Sequence, residues 1–159
     1  MNADLFPNLV TKGYRECSPA TRKYNCIAWA ANDANRCWDD PRLGYYWPQN
    51  APRGPHIVAL RQTFEMLGYE QCLDGELEPG FEKIALYSHE DEAREYAYTH
   101  AARQLSSGLW TSKMGFEEEE DIEHVCPWGL CGKEYGALSY FMKRKIAIDV
   151  SGKEETTAS

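Results

Sequence analysis

Tyr24-Asn25-Cys26-Ile27-Ala28-Trp29-Ala30-Ala31 is the stretch from which the rest of the chain is read. Asn25 has a side chain able to cap a helix and good helix formers follow it. Ile27, Ala30 and Ala31 recur at inward spacing, which predicts a buried helix running to about Asn32 or Asp33. Cys26 falls in the first turn, where unpaired backbone N–H groups and the positive end of the helix dipole favour a thiolate, the nucleophilic form of cysteine. Cys26 is open to two readings: a covalent catalyst, or a small apolar residue of a core.

With 159 residues the chain is expected to form one domain around a single core. Its 10 Tyr and 5 Trp suit a packed globular protein rather than a disordered one. A formal charge of −8 argues against a non-specific grip on nucleic acid or an anionic membrane, both of which need clustered Lys and Arg. No apolar run approaches the roughly 20 residues that span a bilayer, and the first residues lack the basic-then-apolar pattern of a secretory leader. A cytoplasmic setting is therefore expected. Cysteines 17, 26, 37, 72, 126 and 131 are dispersed, which suits reduced thiols better than a disulfide framework. Cys126 and Cys131, preceded by His124, have the wrong spacing for a zinc site, so neither metal nor cofactor is expected.

Outward from the cysteine helix, residues 1–23 read as an extended arm and residues 24–149 as a single domain. Residues 150–159 read as a mobile tail. Residues 35–55, dense in Pro, Gly and aromatics, predict an ordered loop packed on the body, either a substrate rim or a satellite hydrophobic cluster. A second helix is expected after Pro55, with Ile57, Leu60, Phe64 and Leu67 on one side and Gly68 closing it. Phe81 to Tyr87 reads as a strand, and residues 89–95 as a charged loop. Tyr96 to Leu105 and Leu109 to Met114 flank Ser106-Ser107-Gly108, as in a hairpin. Glu117 to Asp121 would leave it as a surface loop, with the chain re-entering the body at Asp121 to His124. Gly136 to Arg144 gives a last strand, with Leu138, Tyr140 and Met142 on one side. The expected fold is α+β: N-terminal helices packed on an antiparallel β-sheet.

Helix-borne cysteine first and strand-borne histidine later is also how a papain-like thiol hydrolase orders its site. His100, mid-strand, is the best partner for Cys26, taking the thiol proton and returning it to the leaving group. Asp121 is preferred as the group that orients the ring, with Ser112 as the fallback. His124 is a second base, a substrate contact or a structural histidine. Gln104 is expected on the face of His100, and Lys113 beside it across the hairpin. Trp29, Gln104, Ser112, Lys113 and His124 complete the expected substrate-binding set, together with Asn25; either Asn25 or the helix-start N–H groups would serve the oxyanion.

The blocks YNCIAWA at 24–30, GYEQC at 68–72, EKIALY at 82–87, THAARQL at 99–105, WTSKMG at 110–115, DIEH at 121–124 and YG at 135–136 resemble an uncharacterised bacterial domain family. In layout alone the chain is similar to papain-like Cys-His hydrolases, including cell-wall amidopeptidases of the NlpC/P60 kind. That resemblance implies a thiol hydrolase or acyl-transfer enzyme acting on an amide or peptide bond, with a peptide or protein substrate. The other expectation is a non-catalytic, acidic protein-interaction module of the inhibitor or immunity type, whose partner is another protein.

Overall fold

The computed structural model describes residues 6–18, 21–90, 96–114, 121–132 and 134–146. Among the described residues seven strands form one antiparallel sheet: β1 (Tyr14–Ser18), β2 (Glu70–Cys72), β3 (Phe81–Glu90), β4 (Tyr96–Gln104), β5 (Trp110–Lys113), β6 (Asp121–His124) and β7 (Ala137–Lys145). Their order across the sheet is β1-β6-β5-β4-β3-β7-β2. Three α-helices accompany them among the described residues: α1 (Pro7–Lys12), α2 (Cys26–Ala30) and α3 (Ile57–Met66). The class is α+β, with helices against an antiparallel sheet. Among the described residues, no helix is long and apolar enough to cross a membrane.

The sheet buries both faces: burial runs through consecutive positions, Lys83 to Ser88 of β3 and His100 to Gln104 of β4, instead of alternating with exposed ones. On the first face Ile84, Leu86, Ala101 and Met142 meet α2, α3 and the aromatic segment holding Trp38 and Trp47. On the second, Ala85, Tyr87, Ala102, Trp110, Ile122 and Phe141 meet Phe6, Leu9, Leu130 and Tyr135. The segment before residue 23 is thus no mere arm. Pro at its first position starts α1, and β1 pairs along β6 from Tyr14↔His124 to Ser18↔Asp121. The tail from 150 and the run Glu117 to Glu120 lie outside the described residues.

Two β-bulges set which side chains share a face. Tyr87 pairs with His100 and Ser88 with Tyr98, leaving Thr99 as the extra residue of β4. Across β3 and β7, Leu86 pairs with Tyr140 and Tyr87 with Leu138, leaving Ser139 as the extra residue of β7. Strict alternation along β7 therefore fails. Tyr140 and Met142 join the first core, whereas Leu138 packs on the second.

The α2 helix starts where the sequence indicates. Asn25 Oδ1 accepts from the backbone N–H of Ala28 (3.1 Å) and of Trp38 (3.2 Å), and Nδ2 donates to the Trp38 carbonyl (2.8 Å). One amide both caps α2 and ties it to the aromatic segment, which, as expected of an ordered loop, packs on the body and contributes Trp38 and Trp47 to the first core. Asn25→Ala is expected to destabilise the domain by about 2–4 kcal/mol, summing a lost cap and two part-buried backbone groups left unpaired. Urea denaturation of the variant checks this.

Candidate functional site

Cys26 opens α2 and lies over β4, packed against the first core. The residue is half-buried, and burial around its thiol pushes the pKa from 9.0 up to about 11. The backbone N–H groups of Ala101 and Ile27 and the nearby Lys113 charge pull the other way without prevailing. A helix dipole contributes about 0.3–1 kcal/mol, less than one pKa unit, so loss of solvation outweighs it in a helix of this length.

His100 is fully buried on the other side of the sheet. Its ring stacks on Tyr135 (centroids 4.2 Å apart, 10° between planes) and lies 5.4 Å from the Tyr87 ring. Neither ring nitrogen has a hydrogen-bond partner. Burial, and secondarily the proximity of His124, holds the imidazole well below its usual pKa and keeps it neutral. Cys26 sits against Ala101 and its first-face neighbours, while His100, one residue earlier, points into the second core. The sheet itself stands between the two. The expected Cys26–His100 pair is therefore not formed, since neighbouring residues on a strand face opposite ways.

Asp121 starts β6, two strands from β4, and its backbone pairs with Lys113. Its side chain lies outside the described residues. Ser112 and His124 do meet: Ser112 Oγ is 2.9 Å from His124 Nε2, and His124 Nδ1 is 3.0 Å from the Cys126 carbonyl. A carbonyl only accepts, so Nδ1 carries the proton and Nε2 accepts from the serine hydroxyl. Both side chains are buried, and burial lowers the His124 pKa to about 4. Such a ring is a weak base with no route to substrate.

The remaining expected contacts are structural. Trp29 donates from Nε1 to Thr111 Oγ1 (3.1 Å), stacks on Tyr24, and accepts at its carbonyl from Arg103 Nε (2.9 Å), wedging α2 onto β4 and β5. Asn25, engaged with α2 and Trp38, has its amide committed away from any oxyanion. Lys113 is buried and donates from Nζ to the Met114 carbonyl. Gln104 lies on the second face, at an open cleft instead of beside Cys26. Among the described residues, no group of three or more His, Cys, Asp or Glu side chains is placed to hold a metal ion.

That cleft, of about 640 Å³, lies between residues 73–77, which follow β2, and residues 125–128, which follow β6. Its floor holds Trp110 and Phe141, with ring centroids 6.0 Å apart, and Trp128 stands edge-on to Phe141 at 5.8 Å. Its rim carries Leu73, Leu77, Val125 and Trp128, each about half exposed or more, Leu73 almost entirely so at 99 %. Gly75 brings its backbone down onto the floor, where a Cβ would stand 2.8 Å from Phe141 Cε1. Gln104 Nε2 donates to the carbonyls of Gly75 (2.8 Å) and Gly108 (3.4 Å), while its buried Oε1 has no donor. Sequence reasoning missed this cleft. Its one local sign is a pair of leucines set in the acidic, Gly- and Pro-containing run Leu73-Asp74-Gly75-Glu76-Leu77-Glu78-Pro79-Gly80.

Residues 15–143 match a family described as a domain of unknown function, DUF7689. The chain belongs to this family. The match runs from within β1 to within β7, so the family's extent takes in the first core, the cleft and the second core apart from Phe6 and Leu9, which precede it. Curated proteins and solved structures offer no match.

Proposed function

We propose that this domain is a non-catalytic, acidic protein-interaction module. What carries the reading is the separation of Cys26 from His100 by the sheet, the one packed against the first core and the other buried in the second. A papain-like hydrolase needs thiolate and imidazole within about 3 Å on one side, with water and substrate able to reach them. Ser112 and His124, the pair that does touch, are buried as well. The net charge of −8 favours a basic partner. Six free cysteines suit a reducing, cytoplasmic setting.

The thiol decides between module and hydrolase. With a pKa near 11 in place of 9.0, the Cys26 thiolate population at pH 7 is about a hundredfold below that of an ordinary thiol. Iodoacetamide followed by peptide mapping is expected to modify exposed Cys17 first and to leave Cys26 intact until the domain unfolds. Fast, selective modification of Cys26 in the folded protein would restore the hydrolase.

A further inference from the structure

The cleft beside Gln104 has a chemical character that selects its occupant, and the identity of that occupant rests on the interaction-module reading. Its polar lining is rich in acceptors. Asp74 and Glu76 stand on the rim, the buried Gln104 Oε1 beneath them lacks a donor, and among the described residues no Lys, Arg or His lines it. The Gln104 amide cannot turn over to cure this, because its nitrogen is held by the Gly75 and Gly108 carbonyls. Lys83, almost wholly buried, satisfies Asp74 at 3.1 Å, whereas Glu76 has no cationic partner among the described residues. Around these acceptors lie Leu73, Leu77, Val125 and Trp128, exposed side by side instead of scattered. Another hollow with charged walls, about 460 Å³ beside Tyr98, differs in kind. Its ions are already matched, Asp40 by Arg42 at 2.7 Å and Arg53 by Asp39 at 2.6 Å.

An occupant of the cleft must therefore bring apolar surface together with hydrogen-bond donors and positive charge. We propose that the cleft formed by Leu73, Leu77, Trp128, Glu76 and Gln104 binds a peptide segment of a protein partner in which an aliphatic or aromatic residue adjoins lysine or arginine. The apolar side chain lies between Leu73 and Trp128 over the Phe141 ring, and the cation meets Glu76. Affinity comes chiefly from the apolar anchor, while the charge excludes acidic sequences.

The test uses the full chain, labelled with ¹⁵N, and two end-capped heptapeptides, one alternating lysine with leucine and one alternating glutamate with leucine. The lysine peptide is expected to shift the Trp128 indole N–H and the Gln104 side-chain amide signals, and to bind at least tenfold more tightly than the glutamate peptide. Leu73→Ser and Glu76→Gln, both at exposed positions, are each expected to weaken it at least threefold with the melting temperature unchanged. Equal binding of the two peptides, shifts confined to other surfaces, indifference to Leu73→Ser, or no binding at millimolar peptide would overturn the assignment. Should Cys26 stay inert to iodoacetamide while the cleft is silent, the cleft assignment alone fails. Rapid modification of Cys26 would instead remove the reading on which it rests.

Discussion

Acidifying the protein from pH 7 to pH 4 is expected to remove about 3 kcal/mol of folding stability through His124 alone, with His100 adding to the loss. The folded His124 pKa is about 4 against an ordinary 6.5, because burial disfavours the charged ring. His100 is lowered in the same direction by the same cause. A depressed histidine pKa means that the unfolded chain binds the proton first. Its contribution is whole above about pH 6.5 and is lost as pH falls towards the folded value. The carboxylates that are held low, such as Asp33, Asp74 and Glu78, lose their contributions only below their ordinary values of 3.8 to 4.5. The window from pH 6.5 to 4.5 therefore belongs to the histidines. Urea midpoints across that window should fall steeply, and His100→Phe should flatten the slope. Because His100 makes no hydrogen bond and stacks on Tyr135, the phenyl ring replaces it without orphaning a partner, so the variant should be no less stable at pH 7. A pH-independent midpoint would contradict the buried, neutral placement of both rings.

Gly136→Ala is expected to destabilise the fold by about 2–5 kcal/mol, combining a left-handed backbone with steric overpacking. Gly136 has φ +73° and exchanges both backbone hydrogen bonds with Gly132. A Cβ on it would overlap the Ser88 carbonyl oxygen and come within 3.1 Å of His89 Cα. These are backbone atoms of β3, the strand between β4 and β7, and they cannot swing aside as a side-chain tip can. The same turn carries Tyr135 onto His100, so the variant should also raise the accessibility of the imidazole. Thermal denaturation measures the first effect and the His100 ring NMR signals report the second. A melting temperature within a degree or two of the parent would show that the turn relaxes at little cost.

Local chemistry was sufficient for the elements that punctuate themselves. Asn25 caps α2, and the hairpin joining β4 to β5 turns at Gly108 with φ +91°. α3 begins after an N-cap, His56, whose Nδ1 accepts from the Val58 N–H. Such features depend on residues a few positions apart, which the sequence shows directly. β1 and β2 were not legible in that way. They are short edge strands, of five and three residues, whose existence depends on β6 and β7 being there to pair with. β6 itself reads only as a return of the chain to the body.

The site turned on the same distinction. That Cys26 would begin a helix and His100 would lie on a strand is determined by neighbouring residues in the chain. Which side of the sheet each faces is not. The sheet buries both faces, so its central strands carry no polar alternation to mark an inside and an outside, and the bulge at Thr99 reverses the phase between Tyr98 and His100. The sequence by itself determined the class, the helix caps and the hairpin, because those are short-range properties. Tertiary structure alone decided that the thiol and the imidazole occupy separate cores, and that Leu73 and Trp128, 55 positions apart in the chain, share one open cleft. Strand order and register bring distant residues together or hold near ones apart, and neither is encoded at the spacing of a local motif.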